Sequence, residues 1–157
     1  AGARTGSAPG DGLYTAEADR RTYARLAELA GECLDAGHPV IVDATFLKRR
    51  HRDLFRALAT RARVPFSIID FGVPKEILLS RIIVRLRQGQ DASDADLGVL
   101  EHQLATHEPL QPDELACVFA YDASRPADDA RHLQSWTPLL ERLLKAPGRT
   151  AGPAAAV

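Results

Sequence analysis

The feature that most constrains the fold is a pair of short apolar runs separated by a helical pattern. Residues 39–42 (Pro-Val-Ile-Val) are continuously apolar and rich in β-branched side chains, which is typical of a buried parallel strand. Residues 65–70 have a similar character, and residues 48–63 between the two runs carry apolar side chains at helical spacing. Strand, helix and strand joined by short links predict a βαβ unit, and therefore an α/β fold with a parallel sheet.

The same patterns predict the remaining elements. Gly37 is a suitable stop for the first helix, Pro74 suits the first turn of the next helix, and Pro138 must begin a helix because it cannot lie inside one. The further elements are a helix from Thr15 to about Ala36, one from Pro74 to near Gly89, one opened by Ser93 and Asp96 that reaches about His107, a strand over 115–121, and two short helices around Trp136.

Apolar spacing also predicts which side chains face the core. Cys33 and Cys117 lie in apolar stretches without metal-ligand spacing, so both are interpreted as reduced core thiols. Trp136 is expected to anchor the last helix on the sheet. The expected core positions are Tyr23, Leu26, Ala27, Ala30, Cys33 and Leu34 in the first helix, and Leu54, Phe55, Leu58 and Ala62 in the second.

Composition bounds the class of protein. The 157 residues are predicted to form one domain over 13–146, with flexible segments at 1–12 and 147–157. A net charge of -1 argues against a large nucleic-acid footprint. No run of residues resembles a membrane span or a signal peptide. The protein is therefore expected to be cytoplasmic. Seventeen of the twenty basic residues are arginine, which suits an anion site but also fits simple compositional bias.

Asp43 and Thr45 are the most informative polar residues. They directly follow the first apolar run, and open parallel sheets bind their ligands at the carboxyl ends of their strands. A carboxylate there can bind or orient Mg²⁺, which prefers oxygen ligands, or it can simply cap the next helix. This segment alone leaves both possibilities open. The five histidines, His38, His51, His102, His107 and His132, show no metal-binding spacing and are expected to be solvated.

A family resemblance extends this interpretation. Residues 43–56 (DATFLKRRHRDLFR) resemble the segment after the third strand of gluconate-kinase-like P-loop kinases, with matches at Thr45, Leu47, Lys48, Arg52, Asp53, Leu54 and Arg56. Arg81, Arg85 and Arg87, followed by residues 90–96 (QDASDAD), resemble the lid of zeta-toxin-like and polynucleotide-kinase-like ATPases of the AAA type. The resemblance covers about residues 11–125 and extends to the kinase-like half of proteins fused to aminoglycoside-phosphotransferase-like domains.

The resemblance implies a three-layer, parallel-sheet P-loop NTPase-like fold with a helical lid hairpin. Its activity would be ATP- and Mg²⁺-dependent phosphoryl transfer to a small hydroxylated acceptor. In that interpretation Asp43 is the catalytic and metal-binding carboxylate, and Arg81 and Arg85 are catalytic lid residues one helical turn apart, although solvated arginines on an amphipathic helix would show the same spacing. The implied phosphate- or substrate-binding residues are Thr45, Lys48, Arg49, Arg52 and Arg87.

One departure from the family leads to further expectations. No GxxxxGK[ST] motif, whose amides and lysine cradle phosphates, occurs in the sequence. The expectation is a domain truncated before its phosphate cradle, with weak or no nucleotide affinity and no activity as an isolated chain. A missing strand would leave the sheet open to self-association or to an upstream domain. The alternative function is therefore a non-catalytic binding or interaction module.

Overall fold

The computed structural model describes residues 16–87 and 94–145. The predicted flexible segments 1–12 and 147–157, the Thr15 cap, the helix stop near Gly89 and the cap at Ser93 lie outside these ranges. The described helices and strands are α1 (Ala16–Asp35), α2 (Arg49–Ala62), β1 (Ile68–Gly72), α3 (Lys75–Arg87), α4 (Asp94–Thr106), β2 (Val118–Asp122) and α5 (Thr137–Lys145), with 3₁₀ turns at Leu115–Cys117, Ala127–Arg131 and Leu133–Trp136.

Helices α1 and α2 enclose the main apolar core. Tyr23 and Ala30 from α1 pack with Phe55 and Leu58 from α2, and all four side chains are buried. Their helical spacing gives each helix one apolar stripe, as the sequence predicts. Two predicted core positions are corrected, because Cys33 is exposed and Leu54 is 39% exposed, each at the margin of its stripe.

The first predicted strand does not join the sheet. Residues 39–45 alternate in burial: Val40, Val42 and Ala44 pack against the core of α1 and α2, whereas Ile41 is 89% exposed. This period of two is that of an extended strand with one packed face. No strand in the described part of the chain pairs with it, since the sheet there contains only β1 and β2. The prediction of a strand buried on both faces is therefore wrong in this structure.

Strands β1 and β2 form a parallel pair in which Ile68 lies opposite Val118 and Gly72 opposite Asp122. A parallel pair needs a long crossover, and α3 and α4 provide it. The mixed α/β class with a parallel sheet is thus confirmed. The residues Leu115–Cys117, expected to begin the strand, instead form a 3₁₀ turn, which lets the Cys117 thiol donate a hydrogen bond to the Glu114 carbonyl oxygen.

The 3₁₀ turn before the last helix packs on the sheet through an aromatic cluster. The Trp136 ring stacks on Tyr121 with centroids 4.9 Å apart and contacts Phe119 and Phe71. Its indole N–H donates to the Ala130 carbonyl oxygen, so the polar part of the side chain is also satisfied. The predicted anchoring role of Trp136 is confirmed. In the described ranges, none of the helices is both long and apolar enough to cross a bilayer.

Candidate functional site

Asp43 and Thr45 lie on the open face of the extended segment that precedes α2. Both side chains are exposed, whereas the neighbouring side chains of Val42, Ala44 and Phe46 are partly buried against the core of α1 and α2. Among the described residues, no basic side chain forms an ion pair with Asp43. Asp43 and Thr45 are therefore an exposed carboxylate and an exposed hydroxyl two residues apart in the chain.

The turn after Thr45 is tightly held. Phe46 adopts a φ of 46°, in the left-handed region that non-glycine residues rarely occupy. Its N–H donates to the Tyr23 hydroxyl at 2.9 Å, and its carbonyl oxygen accepts from Arg52 Nη1 at 3.1 Å. Its ring makes edge contacts with Tyr23 and Phe55 at centroid distances of 5.3 Å. These contacts fix the backbone that carries Asp43 and Thr45.

Arg52 is buried and fully engaged within the chain. Its guanidinium forms a two-pronged ion pair with Glu114, with Nε–Oε1 at 2.6 Å and Nη2–Oε2 at 3.0 Å. The remaining N–H groups donate to the carbonyl oxygens of Phe46, Glu108 and Pro109. Hydrogen bonding to Arg52 lowers the pKa of Glu114, and the same bond raises the pKa of Arg52. Every guanidinium donor is thus used, and Arg52 holds the loop 108–114 against α2 instead of facing a phosphate.

Lys48 and Arg49 lie beside this ion pair and also make contacts within the chain. Lys48 Nζ donates to the Thr106 carbonyl oxygen at 2.7 Å and lies 3.4 Å from Glu108 Oε1.

Arg49 forms two hydrogen bonds to Asp113 and a third to Asp53, and these bonds raise the pKa of Arg49. The backbone N–H of Arg49 donates to Glu108, and this bond lowers the pKa of that carboxyl. The side chains of Lys48 and Arg49 both keep solvent access, unlike Arg52.

The predicted lid lies on the crossover between the strands. Arg81 in α3 is exposed, and its Nη2 donates at 2.7 Å to the carbonyl oxygen of Ala123, the residue directly after β2. Arg85 and Arg87 lie in the last turns of α3, and their side chains are outside the described part of the structure. Helices α3 and α4 pack together and border an open groove of about 770 Å³ lined by Leu78, Ser80, Arg81, Ile82, Val84, Val99, Leu100 and Gln103.

The structure groups the predicted site residues only in part. Lys48, Arg49 and Arg52 converge on residues 106–114, whereas Asp43 and Thr45 are both exposed on the segment before α2. Among the described contacts, none joins Arg81 to either group. The acidic partners Glu108, Asp113 and Glu114 were missed, because sequence spacing gives no signal for pairs about 60 residues apart.

His51 also departs from its prediction. It is 5% exposed instead of solvated, and its ring stacks on Tyr23 with centroids 3.6 Å apart and planes at 16°. Its Nε2 accepts from Arg50 Nε and lies 3.2 Å from an Asp19 carboxylate oxygen. Burial lowers the pKa of His51, and Asp19 opposes that effect only partly. Tyr23 and His51 are thus supporting residues behind Thr45. The sequence predicts Tyr23 only as a core residue and His51 only as a surface residue.

The donor chemistry at Asp43 and Thr45 suits a hard cation. Nowhere in residues 16–87 and 94–145 do three or more histidine, cysteine or acidic side chains form a metal-binding group. Mg²⁺ in phosphoryl-transfer sites is bound by one or two protein carboxylates together with substrate phosphates and water. Asp43, an exposed carboxylate that forms no ion pair with the described residues, fits that mode of binding and does not fit a closed protein cage.

The comparisons with known proteins place the chain in a family. A family model described as an AAA domain matches residues 2–110, more than half of the chain. The chain therefore belongs to the AAA domain family, whose P-loop members bind ATP with Mg²⁺ and include kinase-like proteins. No curated protein and no solved structure is significantly similar to it.

Proposed function

We propose that this chain carries the metal and acceptor side of an ATP-dependent small-molecule kinase site of the zeta-toxin-like and gluconate-kinase-like type. The observation that carries the proposal is the exposed pair of Asp43 and Thr45 on a clamped turn, in a chain of the AAA domain family. Asp43 would bind Mg²⁺ directly or through water, and the cation would neutralise charge on the transferred phosphoryl group. Such an ATP-dependent activity would place the chain in the cytoplasm.

The cationic residues have separate roles in this proposal. Lys48 and Arg49 keep partial solvent access near the turn, and they can exchange their acidic partners for phosphate oxygens or a polar acceptor. Arg81, with Arg85 and Arg87 further along α3, would approach the nucleotide from the crossover. Arg52 supports the turn through Phe46 and has no donor left for a ligand. With no Walker A motif in the sequence, weak nucleotide affinity is expected.

A calorimetric titration with MgATP tests this proposal. Weak binding is expected, and Asp43→Asn should reduce the affinity by roughly 10- to 100-fold, since a ligand bond to a charged group contributes roughly 1.5–3 kcal/mol. Asp128→Asn is the matched control, because Asp128 is an exposed carboxylate in a 3₁₀ turn near the opposite end of the chain. Equal affinities of the two variants, or no binding at millimolar MgATP, would contradict the proposed site.

A non-catalytic interaction module is the second candidate, and one observation favours it. Ile41 is 89% exposed and Phe71 in β1 is 55% exposed, and within the described residues β1 pairs on one side only. An open strand edge and exposed apolar side chains can each pair with a second copy of the chain. Sedimentation over a range of concentrations tests this candidate: association that Ile41→Lys abolishes supports it, and a monomer throughout contradicts it.

A further inference from the structure

We propose that Tyr23 is a positioning residue for Thr45, and that it directs the Thr45 hydroxyl proton towards the ligand. The inference rests on the proposed function, because it assigns a role within the same site. It arises from a buried phenol that contacts the site turn from behind. Tyr23 is 5% exposed and lies in α1, 22 residues before Thr45.

The hydrogen-bond partners of the phenol determine where its proton goes. The Phe46 N–H donates to the Tyr23 oxygen at 2.9 Å, so this bond uses the phenol as an acceptor. A buried hydroxyl also needs an acceptor for its own proton. Among the described residues, Thr45 Oγ1 at 3.3 Å is the one acceptor within reach of the Tyr23 hydroxyl. Tyr23 therefore donates to Thr45.

This direction has a consequence for Thr45. Its oxygen accepts the phenol proton on the inner side, so its own O–H is free to donate on the exposed side. A threonine hydroxyl with its proton directed outwards is a donor for a phosphate or acceptor oxygen, whereas a freely rotating hydroxyl must lose that rotational freedom on binding. Tyr23 would thus strengthen binding without touching the ligand.

The phenol is held in place for this role. His51 stacks on one face of the ring, and Phe46 makes an edge contact, so the ring cannot turn away. The Phe46 backbone occupies the left-handed region, which costs free energy and persists only where the surroundings hold it. The Tyr23 oxygen is the partner of that strained amide. The same atom therefore maintains the turn and orients Thr45.

A double-mutant cycle on MgATP affinity tests the inference. The variants are Tyr23→Phe, Thr45→Val and the pair together. Tyr23→Phe should weaken binding by about 3- to 10-fold, the effect of one net hydrogen bond. Its effect should be clearly smaller when Thr45 is already replaced by valine, because only the part that acts through the Phe46 amide and the turn then remains. Tyr121→Phe is the matched control: among the described residues the buried Tyr121 hydroxyl has no hydrogen-bond partner, so its loss should leave affinity unchanged.

The outcomes separate this inference from the proposed function. If the unmodified chain does not bind MgATP, the proposed function fails and the inference fails with it. If it binds, and Tyr23→Phe has no effect or the same effect in both backgrounds at position 45, the inference is overturned while the proposed function stands. Should Tyr23→Phe fail to fold, 3-fluorotyrosine at position 23 is a stronger donor that keeps the hydroxyl. It should change the affinity only when Thr45 is present, and an equal change in the Thr45→Val background would overturn the inference.

Discussion

At the scale of single residues, buried polar contacts determine how the candidate site is supported. Arg52 and Glu114 are 4% and 0% exposed, so their charges are withdrawn from water and depend on each other. Tyr23 and His51 stack directly behind Thr45. None of these four residues needs to contact a ligand. Each of them stabilises either the turn at residues 45–46 or the loop at residues 108–114.

Breaking the Arg52–Glu114 pair should destabilise the protein strongly. Arg52→Ala leaves a buried carboxylate without its partner, which costs roughly 3–5 kcal/mol of unfolding free energy. Replacing both residues, as Arg52→Met with Glu114→Leu, should cost less than either single change because no charge remains buried. Urea denaturation measures these effects, with Arg131→Ala on the surface as the control. An Arg52→Ala cost as small as that of the control would contradict the buried-pair account.

His51 should make stability depend on pH in a defined window. Because burial lowers its pKa below the ordinary 6.5, the unfolded chain takes up a proton at His51 before the folded chain does. The contribution of His51 to the free energy of unfolding is complete above pH 6.5. It is lost as the pH falls below that value, by at most about 1.4 kcal/mol per pH unit.

The variant His51→Phe keeps a ring against Tyr23 and should flatten this slope, whereas His38→Gln on the surface should leave it unchanged. Glu108 and Glu114 have lowered pKa values, so their contribution is lost only at lower pH, below about 4.5. Unfolding free energies measured in urea at a series of pH values distinguish the two windows. An unchanged slope in His51→Phe would show that another group titrates there.

At the scale of elements, the segment 39–45 shows what the sequence could and could not predict. Its apolar, β-branched composition predicts a strand buried on both faces, whereas in the structure the segment packs one side against α1 and α2. Composition cannot reveal that only the even-numbered side chains are packed, because Ile41 is as apolar as Val40 and Val42. The helices, the parallel strands and the Trp136 anchor were predictable because their patterns are local. The loop 108–114 was not, since its role depends on distant partners in α2.

This one-sided packing gives a direct prediction. Ile41→Thr should change the free energy of unfolding by no more than about 0.5 kcal/mol, because the side chain is 89% exposed. Val42→Thr places a hydroxyl against the core of α1 and α2 and should cost about 1 kcal/mol or more. Thermal denaturation of the two variants, matched in chemistry and one residue apart, measures the difference. Equal costs would mean that both faces of the segment are covered.

At the scale of the whole molecule, a few polar contacts join the helical core to the sheet region. Arg52 and Arg56 in α2 reach Glu114 and Asp113, just before β2. Arg142 in α5 donates to the Val118 and Cys117 carbonyl oxygens and to Ser67, which joins α5 to the beginnings of both strands. Cooperativity between the two parts should therefore depend strongly on the Arg52–Glu114 pair.

Two spectroscopic probes can test this coupling. Far-UV circular dichroism is dominated by the helices, and fluorescence reports the only tryptophan, Trp136, beside the sheet. In the unmodified chain the two urea transitions should coincide, as in a two-state protein. In Arg52→Ala they should separate, with the two regions unfolding at different urea concentrations. Coincident transitions in Arg52→Ala would show that other contacts couple the two regions.

If Asp43 and Thr45 form the metal and phosphate end of a nucleotide site, as proposed, a paramagnetic cation should bind next to them. Mn²⁺ accepts the same oxygen ligands as Mg²⁺ and is paramagnetic, so it broadens the NMR signals of nearby amides. With ATP present, trace Mn²⁺ should broaden Asp43, Ala44 and Thr45 first, and Asp43→Asn should abolish this selectivity. Broadening that is the same without ATP, or that first affects exposed carboxylates such as Asp128, would contradict the claim.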